Sequence, residues 1–113
     1  MITEDHKVVA EISIIPIGKT HSNEDDSLQT SLSKEISLAF NAIKKLKEVK
    51  VIMTAMGTEI EANNLQDILK SVEIAHKAMR DIGVKRIIST IRIDERLDKT
   101  ETLEDRVNSV KGN

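Results

Sequence analysis

Apolar and polar residues alternate in four short segments of this chain. In the segment 7–17, KVVAEISIIPI, every second residue from Val8 to Ile14 is apolar, which predicts a strand with one face in the core. The segment 51–61, VIMTAMGTEIE, predicts two strands joined at Met56-Gly57, where glycine permits the positive φ of a tight turn. The segment 85–94 predicts the fourth strand.

Between the first and second predicted strands, apolar residues recur three and four positions apart, which is the spacing of one face of a helix. This predicts a helix from a cap at Ser27 or Ser31 to about Glu48. The preceding residues, 19–30, are polar with an acidic centre and are predicted to form a loop.

A second segment with helical spacing follows the strand pair. It predicts a helix capped at Asn63 or Asn64 that extends to about Ile82, with Gly83 at the position where glycine commonly ends a helix. A short third helix is predicted from about Thr102. None of the three helices is predicted to cover the second face of the sheet.

The predicted order is strand, helix, strand, strand, helix, strand, followed by the terminal helix. This is the ferredoxin-like βαββαβ pattern of the α+β class, with a four-stranded antiparallel sheet and both long helices on one face. The first and third strands are expected at the centre. Residues 1–113 are expected to form one such domain, with a flexible N-terminus at 1–6.

Composition narrows the classes of function. The net charge is −2, from 17 basic and 19 acidic residues, so there is no positive field for nucleic acid or an anionic membrane. Phe40 is the only aromatic residue, so the central strands cannot stack bases as RNA-binding sheets do. Cysteine is absent, and no apolar run approaches the length of a membrane span. A cytoplasmic protein without nucleic-acid or membrane partners is expected.

The sheet face without helices combines apolar and polar residues. Val9, Ile15, Ile52 and Ile88 share it with several charged and hydroxyl side chains. Such a face predicts contact with another copy, sheet to sheet, in a homodimer or homotetramer. The polar residues predicted to form a ligand site there are Glu11, Ser13, Thr54, Glu61, Thr90 and Arg92. The alternative is a solvated face with cross-strand charge pairs.

Catalytic and metal chemistry have little support in the sequence. His76 lies among apolar residues of the second long helix, which favours a hydrogen-bonded histidine at the edge of the core. The three histidines lack metal-ligand spacing, and no nucleophile with an adjacent base is recognisable. We therefore expect neither an enzyme nor a bound metal or cofactor.

Several short motifs together resemble one family. They are 11–18 (EISIIPIG), 55–61 (AMGTEIE), Ala75-His76, Arg86, and 91–96 (IRIDER) followed by Asp98-Lys99. In this order and spacing the chain resembles the small thiamine-binding-like proteins over about residues 7–110. The resemblance implies a ferredoxin-like fold, sheet-to-sheet dimers or tetramers, and binding of thiamine or its hydroxymethylpyrimidine moiety without catalysis.

The resemblance also bears on the predicted site. Ser13, Thr58, Glu61 and Arg92 match motif residues of the family, which adds Thr58 to the site although its strand parity places it toward the core. Among the carboxylates, Glu61 is expected to contribute most to binding. Two other functions stay open: a regulatory or scaffold protein without a thiamine ligand, with an anion at Arg92, and an enzyme acting on a thiamine precursor.

Overall fold

The computed structural model describes residues 6–18 and 32–112. The predicted loop at 19–30, with the caps proposed at Ser27 and Ser31, lies outside these residues, as do residues 1–5 of the predicted flexible N-terminus. The described elements are, in order, β1 (Val8–Ile17), α1 (Ser33–Lys44), β2 (Val49–Met53), β3 (Thr58–Ala62), α2 (Leu65–Asp81), β4 (Arg86–Glu95) and α3 (Leu103–Lys111). The predicted ferredoxin-like order with an added C-terminal helix is confirmed.

The four strands form one antiparallel sheet in the order β2-β3-β1-β4, with β1 and β3 at the centre as predicted. Glu11 of β1 lies opposite Glu59 of β3 and Arg92 of β4. The next residue, Ile12, lies opposite Thr58 of β3 and Ile91 of β4. Since directly paired residues share a face, the odd-numbered residues of β1 define one side of the sheet and the even-numbered ones the other.

The core lies on the even-numbered side of β1, beneath α1 and α2. Its side chains are aliphatic or methionine, and each is exposed by 8% or less. They are Val8, Ala10, Ile12, Ile14, Ala39, Ile43, Ile60, Ala62, Ile68, Ala75 and Met79. In the described ranges, no helix combines the length and apolarity that crossing a membrane requires.

The helix boundaries follow local capping chemistry where a cap is present. The Asn64 side chain accepts a hydrogen bond from the Asp67 amide at 2.8 Å, which satisfies one of the free N–H groups at the start of α2. Gly83 follows this helix with φ of 87°, in the left-handed region that glycine adopts without strain. The first helix ends at Lys44, earlier than the predicted Glu48, because the chain must extend into β2.

The connection between β2 and β3 corrects one prediction. Gly57 is not among the glycines with positive φ. It is required for close approach instead, because a Cβ at this position would lie 3.1 Å from the carbonyl oxygen of Ile12 on β1. The Gly57 carbonyl accepts hydrogen bonds from the amide and the hydroxyl of Thr54, both at 2.8 Å, and these close the turn.

The prediction that no helix covers the second sheet face is wrong at one end of that face. Leu103 at the start of α3 is 8% exposed, and Val9 of β1, which faces the same way, is 6% exposed. The other end is bare: Ile15, Ile52 and Ile88 are between 37% and 44% exposed. The short length of α3 argues against such a cover, but the hydrogen bond from the Leu103 amide to Glu61 anchors the helix on this face.

Candidate functional site

Two hollows lie on opposite sides of the sheet. The helix-side cavity, of about 350 Å³, lies between β1, the first turns of α1 and the β2–β3 turn. The open-face hollow, of about 420 Å³, lies between the sheet and α3. Both are within the size range of small-molecule sites. The residues that line the open-face hollow are Val9, Ala10, Glu11, Glu59, Arg92, Asp94, Leu103, Arg106 and Val107.

Three adjacent strands bring charged side chains together in the open-face hollow. Glu11, on central strand β1, has Glu59 on one side and Arg92 on the other. Arg92 Nη2 donates to Glu11 Oε1 at 3.4 Å, and the Arg92 side chain is 83% exposed. An exposed pair of this length contributes at most about 1 kcal/mol, so Arg92 is held only weakly.

The last helix supplies the other wall of this hollow. Arg106 Nη1 donates to Asp94 on β4, and Arg106 Nη2 lies 3.7 Å from Glu101 Oε1. The lining of the open-face hollow contains three carboxylates and two guanidinium groups. The carboxylates belong to Glu11, Glu59 and Asp94, and the guanidinium groups to Arg92 and Arg106. Within the part of the chain that the structure describes, Glu59 has no hydrogen-bond or ion-pair partner, so the local charge balance is negative.

Glu61 has a structural contact. Its Oε1 accepts a hydrogen bond from the Leu103 amide at 2.8 Å, which satisfies the first free N–H of α3 and fixes that helix over the sheet. Thr102 and Asp105 complete a reciprocal capping box, with both hydrogen bonds at 3.0 Å. The hydrogen bond from the Thr102 amide is the main cause that lowers the pKa of the Asp105 carboxyl.

The charged segment before α3 forms ion pairs of its own. Arg96 Nε donates to Asp98 Oδ1 at 2.9 Å, and this side-chain hydrogen bond is the main cause that lowers the pKa of Asp98 and raises the pKa of Arg96. Lys99 Nζ lies 3.5 Å from Glu101 Oε2. These contacts lie in the connection between β4 and α3, at the helix end that Glu61 anchors.

The structure separates the seven predicted site residues. Glu11, Ser13, Thr90 and Arg92 share the open face, with Ser13 paired to Thr90 and Glu11 to Arg92. Glu61 lies on that face under the start of α3. The other two residues, Thr54 and Thr58, line the helix-side cavity, and Ser13 also contributes to its lining. Thr54 leaves the open face because it belongs to the turn after β2 rather than to the strand.

The helix-side cavity differs chemically from the open-face hollow. Its described lining is apolar or hydroxyl-bearing, without a charged side chain. The members are Ile12, Ser13, Ile14, Ser33, Ile36, Ser37, Ala39, Ile43, Met53, Thr54, Ala55, Met56, Gly57 and Thr58. Thr58 is 6% exposed and has no side-chain hydrogen-bond partner within residues 6–18 and 32–112.

His76 lies outside both hollows. Its Nε2 is 2.8 Å from Ser89 Oγ, which joins α2 to β4 by a hydrogen bond. The predicted hydrogen-bonded histidine at the core edge matches this geometry. Across the described ranges, no group of three or more histidine, aspartate or glutamate side chains is placed to hold a metal ion.

The fold and the two hollows define a small ferredoxin-like protein with ligand-sized sites on both sides of its sheet. The chain belongs to the thiamine-binding protein family, whose model matches residues 10–111. A UPF0045 protein of Methanothermobacter thermautotrophicus is 36% identical over 104 residues, which covers 92% of this chain and 96% of the relative. A UPF0045 protein of Methanocaldococcus jannaschii is 39% identical over 104 residues, which covers 92% of each.

Solved structures agree with this assignment. The crystal structure of the M. jannaschii protein, described as hypothetical, has a TM-score of 0.78 at 38% identity and covers 96% of this chain and 99% of that one. A Thermotoga maritima protein proposed to act in thiamine biosynthesis or salvage has a TM-score of 0.69 and covers 92% of this chain and 98% of its own. At 21% identity, that likeness shows the fold alone. The family resemblance that the sequence motifs indicated is confirmed.

Proposed function

We propose that this chain is a non-catalytic binding protein for thiamine or its hydroxymethylpyrimidine moiety, held on the open sheet face between two subunits. Membership of the thiamine-binding protein family supports the ligand class. The position is supported by four of the predicted polar residues, Glu11, Ser13, Thr90 and Arg92, which lie together on that face.

The charge balance of the open-face hollow carries the proposal. Thiamine has a permanent positive charge on its thiazolium ring, and its aminopyrimidine has hydrogen-bond donors and acceptors. The hollow holds an excess of carboxylates, and Glu59 among them has no partner within the described ranges. A cation placed there gains a charge-assisted contact without breaking an existing ion pair. Ser13 and Thr90 are paired on the same face, two residues along β1 and β4 from Glu11 and Arg92, and can bond the ring nitrogens of a ligand that extends beyond the lining of the hollow.

A second subunit would complete this site. Ile15 and Ile88 are paired across β1 and β4, and Ile52 lies on β2 of the same face. These apolar side chains are more than one-third exposed, beside the charged residues. Packing two such faces against each other removes this surface from water and closes the hollow on the side that α3 leaves open.

The positions of the hydroxyl and imidazole groups favour a protein that binds its ligand over an enzyme that converts it. Among residues 6–18 and 32–112, the closest approach to a nucleophile–base pair is Ser89 with His76, at 2.8 Å, and this pair joins α2 to β4 outside both hollows. A hydroxyl must lie beside both a base and the substrate to act as a nucleophile. We therefore propose that the ligand leaves the protein unchanged.

A second candidate function rests on Arg92. Its side chain is 83% exposed and only loosely paired with Glu11, so an anion arriving from solution can reach it. In this alternative the protein is an oligomeric regulatory or scaffold protein without a thiamine ligand. Phosphate or a phosphorylated compound is the kind of anion that a guanidinium group binds well.

A thermal-shift panel tests these two functions. The wild type is heated with thiamine, thiamine phosphates, hydroxymethylpyrimidine or inorganic phosphate, and a ligand of the native state raises the melting temperature. At a hundred times the dissociation constant the gain is about 2.7 kcal/mol. A shift with thiamine or the pyrimidine, recovered intact by mass spectrometry, supports the proposal. A shift with phosphate alone supports the scaffold function, and chemical conversion of thiamine contradicts the non-catalytic assignment.

A further inference from the structure

The wall that α3 gives to the open-face hollow exists only while this helix lies on the sheet. Leu103, Arg106 and Val107 supply that wall, and the rest of the described lining comes from β1, β3 and β4. If α3 left the sheet, the hollow would become an open surface without this wall. The affinity of a ligand bound there therefore depends on the contacts that hold α3 in place.

The contacts that hold α3 on the sheet are concentrated near its N-terminal end. Leu103 is buried, and the side chain of Arg106 donates to Asp94 on β4. Further along the helix, Val107 is half exposed and Val110 is 90% exposed, so this part adds little apolar burial. A nine-residue helix is too short to be stable in water without tertiary contacts, so α3 depends on those at its start.

Glu61 provides the contact that reaches the backbone of α3. Its Oε1 accepts the hydrogen bond from the Leu103 amide at 2.8 Å, where the helix has unpaired N–H groups and the positive end of its dipole. Glu61 lies on β3 opposite Val9 of β1, yet it does not belong to the described lining of the open-face hollow. The Glu61 carboxylate is therefore bound to α3 and lies outside the hollow.

We propose that Glu61 is a positioning residue, which sets the affinity of the open-face hollow for its ligand by holding α3 against the sheet. This inference rests on the proposed function, since the ligand is the one proposed for that hollow. The ligand binds the protein with α3 docked, so ligand binding and helix docking stabilise each other. The apparent dissociation constant is then the intrinsic one divided by the fraction of molecules in which α3 is docked.

Hydrogen exchange of the wild type, with thiamine as the probe, tests this coupling. The amide of Arg106 donates to the Thr102 carbonyl at 3.2 Å and exchanges when α3 opens. At about a hundred times the dissociation constant, thiamine is expected to slow this exchange about a hundredfold, because the ligand must leave before the helix opens. The amide of Lys44, in the last turn of α1, frays without opening the hollow and is expected to exchange at an unchanged rate.

Two substitutions of Glu61 separate positioning from direct contact with the ligand. Glu61→Ala removes the hydrogen bond to Leu103, so the docked fraction of α3 is expected to fall and the dissociation constant for thiamine to rise by the same factor. Glu61→Gln loses the charge but keeps an acceptor oxygen for the Leu103 amide, so it is expected to retain most of the wild-type affinity. Glu73→Ala, at an exposed position of α2, is the control and is expected to bind as the wild type does.

Redocking of α3 by the ligand gives a readout that a purely structural role of Glu61 would not give. In Glu61→Ala, the amide NMR signals of α3 are expected to move toward their wild-type positions as thiamine saturates the protein. The dispersion of the remaining signals shows whether this variant is folded. If it is not folded, the exchange measurement on the wild type and the affinity of Glu61→Gln decide the question.

Three results would overturn this inference while leaving the proposed function intact. Thiamine binds to the wild type without slowing exchange in α3; Glu61→Gln loses as much affinity as Glu61→Ala while α3 stays docked, which would place the carboxylate on the ligand; or Glu61→Ala leaves α3 docked or releases it without weakening thiamine binding. A wild type that binds neither thiamine nor hydroxymethylpyrimidine contradicts the proposed function, and this inference with it.

Discussion

The two hollows of this protein share a strand but differ in chemistry. Glu11 and Ile12 are neighbours on β1, yet Glu11 lines the charged open-face hollow and Ile12 lines the uncharged helix-side cavity. The difference arises because alternate side chains of a strand point to opposite faces. One short alternating sequence therefore lines two hollows of different charge, one with an excess of carboxylates and one whose described lining has no charged side chain.

The two hollows also differ in what closes them. Most of the helix-side cavity is formed by β1 and α1, and both elements contribute side chains to the core. The open-face hollow has a wall from α3, a nine-residue helix anchored mainly by polar contacts at its first turn, and its remaining side is bare. Changes to α3 or to the bare surface should therefore alter the open-face hollow and leave the helix-side cavity intact.

The largest effect is expected from Ile88→Asp. This change places a carboxylate in the apolar part of the open face, directly opposite Ile15. In a symmetric sheet-to-sheet dimer the charge is buried twice, so the dissociation constant is expected to rise roughly a hundredfold or more, at about 1.4 kcal/mol for each factor of ten. Analytical ultracentrifugation measures this, and the affinity for thiamine should fall because the second subunit no longer closes the open-face hollow.

Leu69→Asp provides the matched control, because Leu69 is 51% exposed on α2, away from the open face. It is expected to leave the assembly unchanged. A wild type that stays monomeric at micromolar concentration would contradict the assembly part of the account, as would equal effects of the two substitutions.

A smaller effect is expected from Thr102→Ala, which removes the side-chain cap of α3. Loss of such a cap typically costs about 1 kcal/mol of helix stability. Because α3 makes few other contacts, the cost should appear as faster hydrogen exchange of the Leu103 amide rather than as global unfolding. Ser109→Ala, at an exposed position of the same helix, is the control. Unchanged exchange at Leu103 would show that the Thr102 cap is not needed to hold α3 in place.

The fold was largely predictable from the sequence because its core follows simple periodicities. The alternation in β1 correctly assigned the even-numbered residues from Val8 to Ile14 to the core face. Helical spacing located α2, with Asn64 and Gly83 at its ends. The reason for a glycine at position 57 was not predictable. It depends on the carbonyl of Ile12, a contact between residues far apart in sequence.

The candidate site was predictable only in part. Parity correctly placed Glu11, Ser13, Thr90 and Arg92 on one face, because they lie within regular strands. Thr54 does not follow the alternation of β2 onto the open face, because β2 ends at Met53 and Thr54 belongs to the turn. These are properties of single strands, which a sequence pattern describes well.

The role of α3 in covering part of the open face could be recognised only from the tertiary structure. The side chain of Glu61 reaches a helix that begins 42 residues later in the chain. A local signal was present in the segment 102–105, TLED, whose first and last residues form the capping box. That signal predicts where the helix begins, but not the surface on which it packs. The expectation that Glu61 contributes most to ligand binding stays a prediction, now beside a structural role for the same carboxylate.

Calorimetric titration of thiamine into the wild type, Glu59→Gln and Glu73→Gln tests the central claim most directly. Glu59 is the unpaired carboxylate of the open-face hollow within the described ranges, and a hydrogen bond to a charged group contributes about 1.5–3 kcal/mol. The account predicts that the wild type binds thiamine, that Glu59→Gln binds it about tenfold or more weakly, and that Glu73→Gln, on the exposed surface of α2, binds as the wild type does. A wild type that binds neither thiamine nor hydroxymethylpyrimidine would contradict the proposed function, and equal affinity in all three proteins would contradict the role given to the open-face hollow.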